Sequence, residues 1–191
     1  MRKLIFKYRG LVWGLFAVAV LVFPVYFSLP RFIAAIPLLT AGQCLRFWAA
    51  GFIPKYRTLV VGAPQLVTSG PYAWMRNPLY AGNGIMGLGW ALMAGWVWEA
   101  AFAAIYFALY SLTIIPFEEK FLRERFGGEY ESYKKSTPSL LPGLRDIKQR
   151  IARSRTGFDA KKSWFMERHS LRMNILVTAI VLARLYGLRL L

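Results

Sequence analysis

The sequence predicts an all-α integral membrane helical bundle with four core transmembrane helices and a possible fifth membrane segment at the C-terminus. Of its 191 residues, 57% are apolar and 16% aromatic, and the mean hydropathy of +0.38 is too high for an ordinary soluble surface. Several uncharged runs reach about 18 to 22 residues, the length that crosses a bilayer. The apolar content excludes a disordered chain, and the single cysteine, Cys44, excludes a disulfide scaffold.

Four apolar runs define the predicted core spans. The first run, 11–29, follows four basic residues and ends at Pro30-Arg31, which indicates a retained span rather than a cleaved signal peptide. The second run, 32–53, follows after a two-residue link, so the two form a tight hairpin. The runs 79–98 and 100–117 are parted only by Glu99, which predicts a second hairpin turning at that charge.

The distribution of Lys and Arg predicts the orientation. The segment before residue 11, the loop 55–76 and the chain after residue 117 are basic, whereas the links at 30–31 and 99 are short and poor in cations. Because cations favour the cytoplasmic side, both ends of the four-span core are expected to face the cytoplasm. A fifth apolar segment, 174–191, either spans the membrane or lies flat on it.

Charge divides the chain into two regions. Residues 1–142 form the predicted membrane-embedded core, and residues 143–191 form a basic interfacial segment followed by a hydrophobic helix. The second region holds 11 of the 25 Lys and Arg residues although it is only about a quarter of the chain. Cations beside apolar spans attract anionic lipid headgroups, so membrane lipids are the expected partner, and nucleic acid is not.

One charged residue stands inside a predicted span. Arg46 lies about one turn after Gln43, and an arginine at that depth needs a partner, water or an anionic ligand. Two interpretations stay open for it, a structural pairing and a contact with an anionic group of cofactor or substrate. By contrast, the glycine pattern at 82–87 fits a dinucleotide fingerprint only between a strand and a helix, so close helix packing explains it better.

Residues 66–80 contain the first functional motif. Tyr72, Trp74 and Tyr80 give flat surfaces, and Arg76 and Asn77 give a cation and an amide at the mouth of the third span. Gly70-Pro71 predicts a turn, and Pro78 suits the first turn of a helix. Helix N-terminal amides beside Arg76 suit a carboxylate, although an interfacial aromatic belt explains the composition as well.

A second polar cluster follows the fourth span. Glu118 and Glu119 lie at the membrane exit, and Gly127-Gly128 is expected to stop the helix a few turns later. Two carboxylates in a cationic protein can hold an ammonium or ribose hydroxyls, or offset the positive sulfur of a sulfonium cofactor.

In this order and separation, the two motifs resemble the isoprenylcysteine carboxyl methyltransferases and the related membrane phospholipid methyltransferases. The matching residues are Leu66-Val67, Gly70, Tyr72, Arg76, Pro78 and Tyr80, then Glu118-Glu119, Phe126-Gly127, Tyr130, Tyr133 and Leu141-Pro142. The resemblance covers about residues 40 to 142.

The resemblance implies S-adenosyl-L-methionine as cofactor, bound from the cytosol, and a lipophilic methyl acceptor that arrives through the bilayer. It assigns the cofactor pocket to Leu66, Gly70, Tyr72, Arg76, Asn77, Pro78, Tyr80, Glu118 and Glu119, and we expect Arg46, Arg76 and Glu119 to act in catalysis. No metal site is predicted.

Two positions depart from the family pattern, and two other functions compete. Asn77 stands where many members have histidine, and Ile114 stands where the carboxyl methyltransferases tend to carry arginine. The missing arginine favours amine or thiol acceptors over a prenylcysteine carboxylate.

Two alternative functions stay open. One is an NADPH-dependent membrane reductase similar to the sterol reductases, whose longer chain is missing here, and the other is a non-catalytic membrane protein that binds lipid or a partner.

Overall fold

A computed structural model describes residues 2–23, 26, 28–54, 64–154 and 157–187, and every regular element within these ranges is helical. The helices are α1 (Arg2–Val22), α2 (Leu29–Ala50), α3 (Pro78–Ala94), α4 (Trp96–Tyr106), α5 (Ile115–Ser136), α6 (Ile147–Ser154) and α7 (Ala160–Gly187). A single 3₁₀ turn, Gly70–Ala73, precedes α3. The all-α class is therefore confirmed. Part of the predicted basic loop, 55–63, and the end of the fifth segment, 188–191, lie outside the described residues.

Two helices of the described chain are long and apolar enough to cross a membrane. One is α2, with 22 residues, and the other is the continuous 41-residue helix Trp96–Ser136, in which a π-helical segment, Phe107–Ile114, joins α4 to α5. The apolar part of this long helix ends at Phe117, where the paired glutamates begin. A shorter apolar stretch, Leu11–Val20, lies within α1. The count of four core spans stays a prediction.

Two predicted boundaries are corrected by the structure. Pro30 and Arg31, expected to form the link between the first two spans, lie in the first turn of α2, which begins at Leu29 after the N-cap Ser28. The second correction concerns the turn between α3 and α4. The chain reverses at Gly95, whose φ of 118° lies in the region that favours glycine, and not at Glu99. Glu99 instead lies in the first turn of α4, where its carboxylate is 3.3 Å from the Arg31 guanidinium. A single acidic residue near a helix N-terminus does not end the helix, whereas a glycine with positive φ does.

The helices α2 and α3 approach each other closely through glycine. A Cβ atom on Gly42 would lie 2.7 Å from the carbonyl oxygen of Gly82, and one on Gly82 would lie 2.8 Å from that of Gly42. Further along α3, a Cβ on Gly87 would overlap the ring of Phe102 at 2.0 Å. The glycines of the 82–87 pattern therefore serve helix packing, as the sequence indicates.

The helix α5 is broken at Gly127, which has φ 51° and ψ −123°. The predicted stop is confirmed in position, but the chain resumes a helical path and continues to Ser136. The resumed segment turns Tyr130 and Tyr133 inward, and both are buried. The break thus brings the end of α5 back against the 66–80 region.

The C-terminal region packs on the core. The helix α7 runs without interruption from Ala160 to Gly187 and lies along α2, with Ser163 and Glu167 buried in the contact. The opposite side of its first turns exposes Trp164 and Phe165. Contact of the cations of this region with anionic lipid headgroups stays a prediction.

Candidate active site

The segment 66–80 is folded as a turn that leads into α3. Gly70 has φ +61°, and a Cβ at this position would lie 2.4 Å from the ring of Phe52, so both the backbone angle and the close approach require glycine. Pro71 is buried behind the turn, and Leu66 before it is half-buried. Pro78 occupies the first turn of α3, as predicted.

Backbone hydrogen bonds join this segment to the chain that follows α5. The amide of Arg76 donates to Pro138 O at 2.8 Å, and the amide of Asn77 donates to Ser139 O at 3.0 Å. The side-chain amide of Asn77 also donates to Ser139 Oγ at 3.1 Å. Asn77 therefore fastens the loop and does not cap α3 with its side chain.

The cluster around Glu119 joins the two sequence motifs. Arg76 donates to Glu119 Oε1 through Nε at 3.0 Å and Nη2 at 2.6 Å, and Lys134 Nζ lies 2.8 Å from Oε2. Burial alone would raise the pKa of the Glu119 carboxyl, but the hydrogen bonds and charges of Lys134 and Arg76 outweigh burial and lower the pKa below its ordinary value. Glu119 is thus an ionised group that holds two cations in place.

A second pair lies beside this cluster. Tyr80 donates its hydroxyl to Glu118 Oε1 at 2.6 Å, and Tyr106 donates to the backbone oxygen of Tyr80 at 2.7 Å. Tyr133 donates to the backbone oxygen of Tyr72 at 2.7 Å. Burial raises the pKa of Tyr133, so its hydroxyl remains a neutral donor. The structure therefore pairs Arg76 with Glu119 and Tyr80 with Glu118, two neighbouring positions of one helix, and joins Tyr72 to the end of that helix through Tyr133.

Arg46 lies in a different polar group. Its Nε and Nη2 donate to the two carboxylate oxygens of Glu167 at 2.8 Å each, and its Nη1 donates to Asn83 Oδ1. Gln43 reaches the same region, since it accepts hydrogen bonds from Ser170 and Asn174. Within the described chain, none of the Arg46 hydrogen bonds goes to Arg76, Glu118 or Glu119. The structural pairing that the sequence left open is present.

Sequence reasoning missed several residues that shape the site. Lys134 completes the Glu119 cluster, and Glu167 partners Arg46 from a helix more than 100 residues away. Arg150 on α6 is buried and donates to the backbone oxygens of Ala73, Arg145 and Ser136. The only available signal was Glu167 itself, the single acidic residue of the sequence after Asp159, and nothing local distinguishes Arg150 from its basic neighbours.

An apolar cavity of about 360 Å³ lies inside the bundle, between α1, α3, α4 and α7. Its aromatic wall includes Trp13, Phe102, Tyr106 and Tyr110, with Trp13 Nε1 donating to the Tyr110 hydroxyl at 3.1 Å. Tyr106 bonds the backbone of Tyr80, so the same residue borders the cavity and contacts the polar cluster. The cavity and the Tyr80–Glu118 pair are therefore neighbours.

Known proteins resemble this sequence over most of the region that carries the two motifs. A family model for phospholipid methyltransferases matches residues 30–129. Two relatives are the nickel-cobalt-cadmium resistance protein NccN of Alcaligenes xylosoxydans, 37% identical over 52% of this chain and 44% of its own, and the protein-S-isoprenylcysteine O-methyltransferase of Schizosaccharomyces pombe, 33% identical over 57% of this chain and 48% of its own. A probable protein-S-isoprenylcysteine O-methyltransferase of Oryza sativa is 39% identical over 41% of each chain.

The aligned region spans less than half the length of these relatives. No solved structure matches the chain. The family match nevertheless covers more than half of the sequence and contains the Arg76–Glu119 and Tyr80–Glu118 pairs. This membrane protein therefore belongs to the phospholipid methyltransferase family, together with the isoprenylcysteine methyltransferases that it resembles.

Proposed function

We propose that the protein is an S-adenosyl-L-methionine-dependent methyltransferase of the membrane, acting on a lipophilic or small acceptor that reaches it through the bilayer. Acceptors in this class include an isoprenylcysteine-like thioether lipid, a phospholipid amine and a thiol. The observation that carries the proposal is the meeting of the two motifs, since Arg76 contacts Glu119 and Tyr80 contacts Glu118 across 43 and 38 residues of sequence.

The polar cluster fits the chemical groups of the cofactor. Arg76 and the amides that begin α3 suit its carboxylate, because the Asn77 side chain leaves that helix start without a side-chain cap. Glu118 suits its hydroxyls or ammonium, while Tyr72 and Tyr80 offer aromatic faces. Gly70 and Pro78 shape the turn, and Leu66 lies at its entrance. When bound, the cofactor supplies an activated methyl group on a positively charged sulfur.

Glu119 and Lys134 have a supporting role in this proposal. Both carboxylate oxygens of Glu119 are engaged by cations, so Glu119 fixes the Arg76 guanidinium and contributes negative charge nearby. Arg76 also donates to the backbone oxygen of Lys134 at 3.3 Å and to that of Thr137. A guanidinium held on several sides is prepared to bind an anionic group without further ordering.

The acceptor side of the reaction needs positioning and exclusion of water. Methyl transfer to a thiolate or carboxylate neutralises charge, so it requires no strong base, whereas an amine must arrive deprotonated. The apolar cavity beside Tyr80 and Tyr106 offers a dry approach for such a molecule. Ile114 is buried among apolar side chains, and this position therefore gives an acceptor carboxylate no cation.

Isothermal titration of the detergent-purified protein tests the cofactor assignment. We expect S-adenosyl-L-methionine to bind and NADPH not to bind. Arg76→Met should weaken binding at least about tenfold, because it removes a charged hydrogen-bonding group. The matched control is Arg123→Met, which changes an exposed arginine of α5 and should alter affinity less than about twofold.

Transfer of labelled methyl from the cofactor to extracted membrane lipids, small amines and thiols then identifies the acceptor. Binding of NADPH alone would favour a reductase. If well-folded protein binds neither molecule, a non-catalytic membrane protein becomes the better interpretation. A normal thermal unfolding curve for Arg76→Met is needed before its loss of binding is attributed to the site.

A further inference from the structure

One end of the apolar cavity is polar. Arg46, Asn83 and Ser170 border the cavity there, on α2, α3 and α7 respectively, whereas most of the remaining wall is aromatic or aliphatic. Ser170 and its neighbours Met173 and Val177 lie beyond the part of the chain that matches the family model. The C-terminal helix therefore forms one wall of the cavity and α1 another, whereas the remaining walls belong to the family core.

The charge at this end is balanced within the protein. Arg46 and Glu167 form a two-fold hydrogen-bonded pair at 2.8 Å, and the side chain of Glu167 is 2% exposed. Because a buried carboxylate offsets the guanidinium, the polar end has no net charge to attract an anion strongly. What it offers a ligand is hydrogen-bond donors.

Donors outnumber acceptors at this end. The guanidinium carries five N–H groups, and its bonds to Glu167 and Asn83 use three of them. The side-chain oxygen of Asn83 accepts a hydrogen bond from Arg46. Within the described ranges, the side-chain nitrogen of Asn83 donates to no protein group. The Ser170 hydroxyl already donates to the side-chain oxygen of Gln43. A ligand with a hydrogen-bond-accepting oxygen complements these remaining donors.

The polar end of the cavity lies close to the polar cluster proposed to bind the cofactor. Asn83 follows Tyr80 by three residues on α3, so the two side chains lie on one helix face about one turn apart. Tyr80 contacts Glu118 in the polar cluster. An oxygen bound at Asn83 would therefore lie close to the reacting end of an acceptor.

We infer that the cavity binds the apolar chain of the methyl acceptor, and that Arg46 and Asn83 bind an uncharged or weakly charged oxygen near its polar end. Val177 and Met173 on α7 are specificity-determining wall residues, and Glu167 is a positioning residue that holds Arg46 and cancels its charge. This inference rests on the proposed methyltransferase function and adds the class of acceptor, an apolar chain with a carbonyl or ester oxygen.

Quenching of tryptophan fluorescence by brominated probes tests the inference, because Trp13 and Trp90 line the cavity. The probes are methyl 12-bromododecanoate, 12-bromododecanoic acid and 12-bromododecylamine, titrated at pH 8 into the full chain in detergent. The ester should bind at least about fivefold more tightly than the amine, since an ammonium group accepts no hydrogen bond, and the acid, which is ionised at pH 8, should bind no more tightly than the ester. Asn83→Leu should reduce this preference for the ester over the amine at least about twofold, because Arg46 keeps its own donors.

A matched pair of variants on α7 separates the cavity from general partitioning into detergent. Val177→Phe fills part of the cavity and should reduce quenching by every probe, whereas Leu176→Phe changes an exposed neighbour and should not. Glu167→Gln keeps a hydrogen-bonding group but leaves the charge of Arg46 unbalanced. It should therefore raise the preference for the acid over the ester about tenfold, which a purely structural role would not do.

The results also distinguish this inference from the proposed function. If S-adenosyl-L-methionine binds but the amine binds as well as the ester, or if Val177→Phe and Leu176→Phe behave alike, the cavity is not the acceptor site and the inference is wrong. Absence of probe quenching in the unaltered protein would overturn it too. If the cofactor fails to bind while the probes behave as described, the methyltransferase proposal fails and a lipid-binding cavity remains.

Discussion

At the scale of single residues, the ionisation of Glu119 determines how this carboxylate contributes to the site and to stability. Its lowered pKa means that the carboxylate stays ionised at neutral pH and in mild acid. A carboxyl whose pKa is lower in the folded than in the unfolded protein stabilises the fold above the unfolded value. This contribution to stability is lost only as the pH falls below 4.5, the ordinary pKa of the carboxyl group, and then through its lower pKa in the folded protein. Stability linked to Glu119 is therefore constant from pH 8 to 6.

Glu119→Gln tests this role. We expect it to weaken binding of S-adenosyl-L-methionine about tenfold at pH 8, 7 and 6 alike, because Arg76 and Lys134 lose their shared counter-charge. Calorimetry at the three pH values measures the effect. Glu124→Gln is the control, since its exposed pair with Lys120 at 3.7 Å contributes little. An unchanged affinity in Glu119→Gln would remove Glu119 from the site.

At this scale, local motifs in the sequence pointed to residues that the structure brings into contact. Tyr80 and Glu118 were both singled out, and the structure joins them directly. The sequence-based prediction was incomplete for Arg46. The free-energy cost of burying an arginine predicts that a partner exists but not where that partner lies. The partner, Glu167, is 121 residues away, and only the folding of α7 along α2 brings it there.

At the scale of elements, the crossing of α2 and α3 organises the bundle. Both motifs and the cavity depend on α3, and its position against α2 is fixed where Gly42 meets Gly82. A Cβ on Gly42 would also lie 2.5 Å from Met86 Cγ, so even a methyl group requires the helices to separate. In a membrane, such close backbone contact replaces the hydrophobic driving force as a source of stability.

Gly42→Ala should therefore lower stability by roughly 1–3 kcal/mol, the usual effect of overpacking. Gly14→Ala is the matched control, because nothing lies within 4 Å of its added Cβ, and alanine should stabilise α1 by roughly 0.5–1 kcal/mol. Unfolding of the two variants in the same detergent measures the difference. Equal stabilities would show that α2 and α3 adjust at no cost.

The elements were predictable where hydrophobicity alone determines them. The runs 32–53 and 79–98 correspond to α2 and α3 within a few residues, because a long apolar run has few alternatives to a helix. The turn was placed at Glu99 instead of Gly95, since charge is visible in the sequence whereas a positive φ is not. The break at Gly127 was expected, but the resumed helix depends on burial of Tyr130 against the core.

At the scale of the whole molecule, the C-terminal region ties the site together. Buried Arg150 of α6 secures the turn at Ala73 and the end of α5 at Ser136, while α7 holds Arg46 and forms one wall of the cavity. The sequence indicated a basic surface segment here because most of its side chains are polar. Three-dimensional contacts select the few residues that face inward, and composition does not identify them.

The orientation of the molecule gives the last prediction. The apolar part of the long helix, 96–117, is about 33 Å long at 1.5 Å per residue, enough to cross the hydrocarbon core. Trp96 and Ser132 should therefore lie on opposite sides of the membrane, and the Lys and Arg distribution places Ser132 and the polar cluster in the cytoplasm. Both positions are exposed and suit labelling.

In a Cys44→Ala background, which removes the one native thiol, Trp96→Cys and Ser132→Cys can be labelled separately with a membrane-impermeant maleimide. Intact cells should label Trp96→Cys alone, and lysed cells should label both, because Ser132 is protected only by the membrane. Labelling of Ser132→Cys alone in intact cells would mean that the protein has the opposite orientation. The polar cluster would then have no access to cofactor from the cytosol. Labelling of both in intact cells would mean that the long helix does not cross the bilayer between them.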